Sequence, residues 1–310
     1  MIRRPPRSTQ GVSSAASDVY KRQEQGMAGQ DTNVLVNLEW VERQLNNPNV
    51  VIAEVDSNPN ETYDIGHIPG AVSWNLHTDF EDPIRRDIPS PESISLLLSR
   101  SGVQQNTTVV LYGDGNNRSA TWAFWVLKYY GLQKVHLMDG GRKKWLNDKR
   151  PVSIDKSSTQ TTKYGVSSTN INLRSLKADI LRRLGNQSTK LLDTRTIEEY
   201  SGELAASPGG HQPDIYRKGR IPGALHIPWD DAATEEGSFK PIDELRDLYR
   251  PLGLQPGDEI ITYCRLGIRA SYTWFVLKYL LCHNNVRNYD GSWTEWGNAC
   301  LLYTSPSPRD

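Results

Sequence analysis

The chain carries one strand-loop-helix unit twice, and this repeat limits the possible folds more than any other feature. Val109 to Tyr130 reads V-V-L-Y-G-D-G-N-N-R-S-A-T-W-A-F-W-V-L-K-Y-Y, and Ile260 to Leu280 reads I-I-T-Y-C-R-L-G-I-R-A-S-Y-T-W-F-V-L-K-Y-L. Two more pairs flank it in the same order: G-H-I-P-G-A (Gly66 to Ala71) with G-R-I-P-G-A (Gly219 to Ala224), and M-D-G-G-R-K-K-W (Met138 to Trp145) with Y-D-G-S-W-T-E-W (Tyr289 to Trp296). Matched landmarks in a fixed order specify tandem domains. The Ser/Thr-rich stretch Pro151 to Asn170 joins them, with the low hydrophobicity and turn-forming residues of a surface linker.

Within each unit, short apolar runs alternate with amphipathic stretches. Strands are expected at Val50 to Val55, Val109 to Tyr112, Lys134 to Met138, Lys190 to Asp193, Glu259 to Tyr263 and Val286 to Tyr289. Helices are expected at Leu38 to Leu45, Ser90 to Arg100, Ala120 to Tyr130, Leu173 to Leu184, Ile242 to Tyr249 and Ser271 to Leu281. The alternation predicts an α/β fold: in each unit a doubly wound, mainly parallel sheet with helices on both faces. Ligands of such sheets bind beyond the carboxyl ends of the strands, where Cys264 falls.

The two ends read as foreign to the rest. The reverse complement of a DNA segment encoding Asp18 to Gln23 translates, from its second base, as the Cys300 to Ser305 sequence. The pair resembles a transposon end used in sequencing libraries, so residues 1–23 and 300–310 are read as adapter translation and set aside. Otherwise the Arg- and Ser-rich start would pass for a transit peptide. The expected organisation is then a first domain at 27–150, starting at Met27, a linker at 151–170, and a second domain at 171–299 cut short at its end.

Six basic and two acidic residues lie in the ends set aside, which leaves 30 Lys+Arg against 34 Asp+Glu from 36 of each. That balance offers no support for nucleic-acid or anionic-membrane partners. No apolar run approaches the roughly 20 residues of a spanning helix. Cys264 and Cys282 remain, too few for a disulfide framework, and a reducing cytoplasm is the expected location.

In Y-C-R-L-G-I-R-A-S, Tyr263 to Ser271, the cysteine follows a strand, opens a turn containing Gly267, and leads into a helix starting near Ala270. Successive loop N–H groups can converge as an anion nest, reinforced by the helix dipole. Arg265 and Arg269 add positive charge. These features favour a thiolate and predict an exposed, anionic nucleophile. By itself, a lone cysteine at a strand end is more often a small buried hydrophobe. The first copy has Gly113 in its place and Asp114 opposite Arg265.

Y-C-R-x-G-x-R-[AS]-S, the tandem unit, the I-P-G-A hinge and the D-G-[GS] motif together resemble the two-domain rhodanese family of sulfurtransferases, over essentially all of Met27 to Ala299. The resemblance implies a catalytically silent first domain and a Cys264 that takes the sulfane sulfur of a donor as a persulfide and passes it to cyanide or a cellular thiol. The loop amides of Arg265, Leu266, Gly267, Ile268 and Arg269 would cradle the anion, and Arg195 in D-T-R-T-I-E-E-Y would meet the donor's anionic group. It also implies no metal or organic cofactor, small-molecule donor and acceptor partners, and a monomer.

The mercaptopyruvate branch carries C-G-S-G-V-T and a second arginine four residues beyond the first; here stand C-R-L-G-I-R and Glu199. A negative Glu199 would repel a carboxylate, so thiosulfate is the expected donor and 3-mercaptopyruvate the alternative. The loop also departs from the C-R-K-G-V-T of the mitochondrial thiosulfate branch at Leu266 and Arg269, and looks closer to the bacterial enzymes. A persulfide carrier or regulatory binding module is the reading from another class. Phosphatase or arsenate reductase fits less well, because four residues separate Cys264 from Arg269, one fewer than those loops carry.

Other reactive-looking residues are expected to be structural. His67 has Arg220 as its counterpart, Cys282 ends a helix as a half-buried thiol, and Trp122, Trp145, Trp293 and Trp296 suit core or interdomain packing. Arg142 to Lys144 reads as a solvated helix face, and Asp82 to Asp87 as a stretch that could meet the second domain.

Overall fold

A computed structural model describes residues 34–82, 87–206 and 217–299. The ends read as adapter translation, and Met27, lie outside the described residues. The first unit runs β1 (Leu35–Val36), α1 (Leu38–Arg43), β2 (Val50–Asp56), β3 (Val72–Asn75), α2 (Leu76–Asp79), α3 (Pro91–Arg100), β4 (Thr108–Tyr112), α4 (Arg118–Tyr129), β5 (Val135–Met138) and α5 (Gly141–Asn147). The second runs α6 (Lys177–Arg183), β6 (Thr189–Asp193), α7 (Ile197–Ser201), β7 (Leu225–His226), α8 (Ile242–Tyr249), β8 (Glu259–Tyr263), α9 (Ile268–Phe275), β9 (Val286–Asn288) and α10 (Ser292–Asn298). All strand pairs are parallel, in the orders β1-β5-β4-β2-β3 and β7-β6-β8-β9. The α/β expectation is met.

Local chemistry accounts for the element boundaries. Ser90 caps α3 by accepting the Ser93 N–H at 3.2 Å, Pro91 needs no donor in the first turn, and Ile94, Leu97 and Leu98 share the buried face. The apolar strands β4 and β8 are covered on both faces and are nearly all buried. The short strands β1, β3 and β7 carry too little pattern to read from sequence, as do the short helices α2, α5, α7 and α10.

Tertiary contacts redraw two expected helices. Leu173 to Leu184 splits into a 3-10 turn at Ile171–Leu173 and α6, because Arg174 bridges Asn288 and the Ser175 N–H donates to the Asn288 carbonyl at 2.9 Å. Ser271 to Leu281 instead begins at Ile268 and relaxes into a π-helical turn at Val276–Leu280. The linker is strapped onto the first unit. Ser153 pairs with His67, Thr162 N–H donates to the Ser99 carbonyl at 2.9 Å, and Asn170 N–H to the Tyr129 carbonyl at 2.6 Å. Among the described residues, no helix is long and apolar enough to cross a membrane.

The two units meet through the repeated helices themselves. Phe124 of α4 and Trp274 of α9 stand two residues before V-L-K-Y in each copy, and their ring centroids are 6.3 Å apart. Thr121 and Ser271, nearer the two N-termini, bring their hydroxyl oxygens within 3.4 Å. One buried apolar cluster runs from Trp125 and Leu127 through Phe124 to Phe275 and Leu277. Polar ties add to this contact. Asp139 Oδ1 accepts the Phe239 N–H at 2.9 Å, Lys144 pairs with Glu236 at 2.8 Å, and Arg174 joins Asp87 to Asp290.

Candidate active site

In the second sheet, β7 lies on one side of β6 and β8 on the other, so the winding reverses between β6 and β8. Ligands of open α/β sheets bind at such a reversal. Arg195 follows β6 and Cys264 follows β8, one on each side of it.

The loop after β8 wraps the sulfur closely. Gly267 N–H donates to Cys264 Sγ at 3.1 Å, and Cys264 N–H donates to Ser292 Oγ at 3.1 Å. Trp293 and Thr294, at the start of α10, donate their N–H groups to the Cys264 and Arg265 carbonyls at 3.0 and 3.1 Å. Gly267 adopts φ +84°, and an added Cβ would lie 2.7 Å from Asp290 Cα and 3.0 Å from the Trp122 ring of the first unit. No side chain fits there. The enclosure corrects one expectation: Cys264 is 1% exposed, because the loop and packing of α4 against Gly267 cover it. Leu266, Ile268 and Arg265 are half-buried on the same loop.

The charges are arranged differently from the sequence expectation. Arg195 is 0% exposed. Its guanidinium grips Asp193 through Nε at 2.9 Å and Nη2 at 2.6 Å, donates to the Gly219 carbonyl at 2.7 Å, and lies 4.7 Å from the Trp293 ring centroid. Burial disfavours its charge, but Asp193 outweighs that and raises its pKa. Its Nη1, also buried, has no hydrogen-bond partner among the described residues. Arg269 makes a two-point pair with Glu199, at 2.6 and 2.9 Å. Burial opposes its charge, while the Glu199 hydrogen bonds and the Cys264 charge raise its pKa. Glu199 is therefore neutralised in place, and it also closes a capping box with Thr196 at the start of α7. The inference that a bare Glu199 repels carboxylates does not hold here. T-I-E-E carried the capping-box signal in the sequence.

One charged residue was missed. Arg118, at the start of α4, lies half-buried with its guanidinium 6.0 Å from the Trp229 ring centroid. Burial and repulsion from Arg269 lower its pKa, opposed by the Cys264 and Asp56 charges. The repeat held the clue, since Arg118 and Arg269 occupy the same place after Tyr112 and Tyr263.

The first copy is closed by its own side chains. Gly113 N–H donates to Asn117 Oδ1 at 2.9 Å, where the second copy uses Ser292, and Asp114 N–H donates to Asp56 Oδ1 at 2.9 Å. A Cβ on Gly113 would meet the Val55 carbonyl oxygen at 2.4 Å, and one on Gly141 would meet Asn117 Oδ1 at 2.5 Å. A buried ion pair recurs, but its cation comes from another strand end: Arg142 pairs with Glu54 at 3.3 Å and donates to the Gly66 carbonyl. Arg142 is buried, not on a solvated face, because Glu54 needs it. Burial raises the Glu54 pKa to about 8 despite a hydrogen bond from Tyr112 and the charge of Arg142.

The remaining side chains divide clearly. His67 is buried, stacks on Tyr63 at 3.7 Å, and sets its ring nitrogens against the Tyr63 and Asp155 carbonyls, which ties down the linker. Trp122, Trp145, Trp293 and Trp296 are buried as expected. Cys282 is exposed, not half-buried, because the chain turns there through φ +60°.

The Rhodanese-like domain family matches residues 37–148 and 176–299. A Mycolicibacterium smegmatis protein named "Putative thiosulfate sulfurtransferase" is 45% identical over 86% of this chain and 95% of its own length. The "Sulfur carrier protein TtuD" of Thermus thermophilus is 45% identical over 86% of this chain and 94% of its own. Among solved structures, the anaerobic ergothioneine biosynthesis enzyme of Chlorobium limicola superposes with a TM-score of 0.80 at 24% identity, covering 91% of this chain and 73% of that one, a likeness of fold. With the repeated parallel sheets and the loop that encloses Cys264, the chain belongs to the rhodanese family and carries its domain twice.

Proposed function

We propose that the protein is a sulfurtransferase that moves the sulfane sulfur of thiosulfate to a thiophilic acceptor through a persulfide on Cys264. The observation that carries this reading is the Gly267 N–H aimed at Cys264 Sγ, in a loop whose first copy has glycine at the same place and no room for a side chain. The thiolate attacks the outer sulfur of thiosulfate. The S–S bond breaks, sulfite leaves with the bonding pair, and a cysteine persulfide anion remains. Cyanide or a thiolate then attacks the outer sulfur and regenerates the Cys264 thiolate. Each half-reaction conserves charge and needs no redox partner, so ping-pong kinetics are expected. Gly267 N–H stabilises the anion without reorganising, as an oxyanion hole does.

Thiosulfate is the preferred donor on electrostatic grounds, because Arg118 adds positive charge within electrostatic reach of Cys264. The Asp193 pair and the bond to the Gly219 carbonyl support a role for Arg195 in holding β6 and the Gly219 turn. The first domain, with its filled loop, has no place for a nucleophile. The test is steady-state transfer from thiosulfate and from 3-mercaptopyruvate to cyanide in the wild type and C264S. Faster turnover of thiosulfate, lost in C264S, is expected; equal activity in C264S refutes the role of the thiol. A second reading, a persulfide carrier, is favoured by the enclosure of the sulfur and by the name of the Thermus relative. It predicts slow turnover with cyanide and fast discharge to a protein thiol.

A further inference from the structure

We infer that Arg118, supplied by the domain without the cysteine, binds the anionic group of the sulfur donor at Cys264. The inference rests on the Cys264 reading above and adds a residue from the other half of the repeat.

The geometry starts with α4. Trp122 of that helix presses against Gly267, whose missing side chain makes the approach possible, and Thr121 meets Ser271 at the start of α9. Arg118 lies one turn earlier than Trp122, and residues four apart share a helix face. Its guanidinium therefore projects along the face that touches the cysteine loop, and it lies within electrostatic reach of both Cys264 and Arg269. The Trp229 ring, from the second domain, lies with its centroid 6.0 Å from that guanidinium, at the limit of a cation–π contact.

The pairing of the neighbouring cations singles it out. Arg195 is bound to Asp193, and Arg269 to Glu199, so each is compensated by a buried carboxylate. Arg118 has no hydrogen bond or ion pair from its guanidinium among the described residues; Asp56 acts on it only through space. Planar, paired donors suit the oxygens of a sulfonate, so a dianion such as thiosulfate can bridge Arg118 and the loop.

The test uses the full chain with R118Q and R118K, with C264S as the control. Thiosulfate:cyanide kinetics are measured together with alkylation of Cys264 by iodoacetate and by neutral iodoacetamide, mapped by peptide mass. R118Q is expected to lower kcat/KM for thiosulfate about tenfold or more, mainly through KM, and to lower the iodoacetate-to-iodoacetamide rate ratio about tenfold, the size of a lost charge-assisted hydrogen bond. R118K should keep the alkylation ratio and lose several-fold in thiosulfate kcat/KM, because a point charge replaces a fork; it decides the matter if R118Q does not fold. An unchanged kcat/KM, or equal slowing of both alkylators, would overturn the inference. If C264S stays active, the reading of the thiol fails instead, independently of Arg118.

Discussion

Arg195 shows how a single residue's role depends on its surroundings. A fully buried guanidinium with three hydrogen bonds to Asp193 loses more when one partner is removed than a surface pair does, because a charge is left uncompensated in the interior. R195A is therefore expected to lower the unfolding free energy by about 3–5 kcal/mol in urea titrations. R195K should not restore it, since an ammonium cannot reproduce the fork. Loss of activity should follow loss of folded protein, with KM for thiosulfate unchanged in the fraction that remains folded. A raised KM in fully folded R195A would instead put the residue in contact with the donor. Gly267 belongs to the same scale: G267A adds a side chain at φ +84° against the Asp290 backbone and is expected to cut turnover sharply while leaving Cys264 present.

At the scale of elements, the repeat explains both what was readable and what was not. Long apolar strands such as β4 and β8, and helices such as α3 and α8, announce themselves through period, with a Ser90 cap for α3, and the loop after β8 through its cysteine, glycine and arginines. The pairing of those arginines was not readable, because it depends on which carboxylate the fold brings alongside. Arg142 illustrates this: a basic run in sequence became a buried partner for Glu54 on a strand far away in the chain. Arg118 was legible only by comparing the copies, and its direction only once α4 was packed on α9. Filling of the first loop also gives a test. G113C in a C264S background is expected to give no sulfur transfer and a lower melting temperature, because the new side chain meets the Val55 carbonyl and Asn117 already accepts the amide whose second-copy counterpart goes to Ser292. Restored transfer would show that the first domain is silent only for want of a thiol.

For the whole molecule, the join between the domains includes a half-buried carboxyl, Asp139. Burial pushes the Asp139 carboxyl up to about 6, partly offset by the Phe239 N–H and the charge of Lys144. A carboxyl whose folded pKa lies above its unfolded value destabilises the fold when ionised, so this cost is complete above about pH 6 and disappears as pH falls toward 4. D139N, which can still accept the Phe239 N–H, is expected to be more stable than wild type at pH 8 by up to about 3 kcal/mol and no more stable near pH 4. A constant difference at both pH values would place the effect elsewhere. The larger claim is that two copies of one fold share a single site, with the thiol from one and an anion-binding arginine from the other. Its first requirement is that Cys264 itself carries the sulfur. The most direct measurement is mass spectrometry of the protein after thiosulfate treatment without acceptor. The account predicts a gain of one sulfur atom located at Cys264, released by cyanide as thiocyanate and absent in C264S. A sulfur located at Cys282, or loading that persists in C264S, would contradict it.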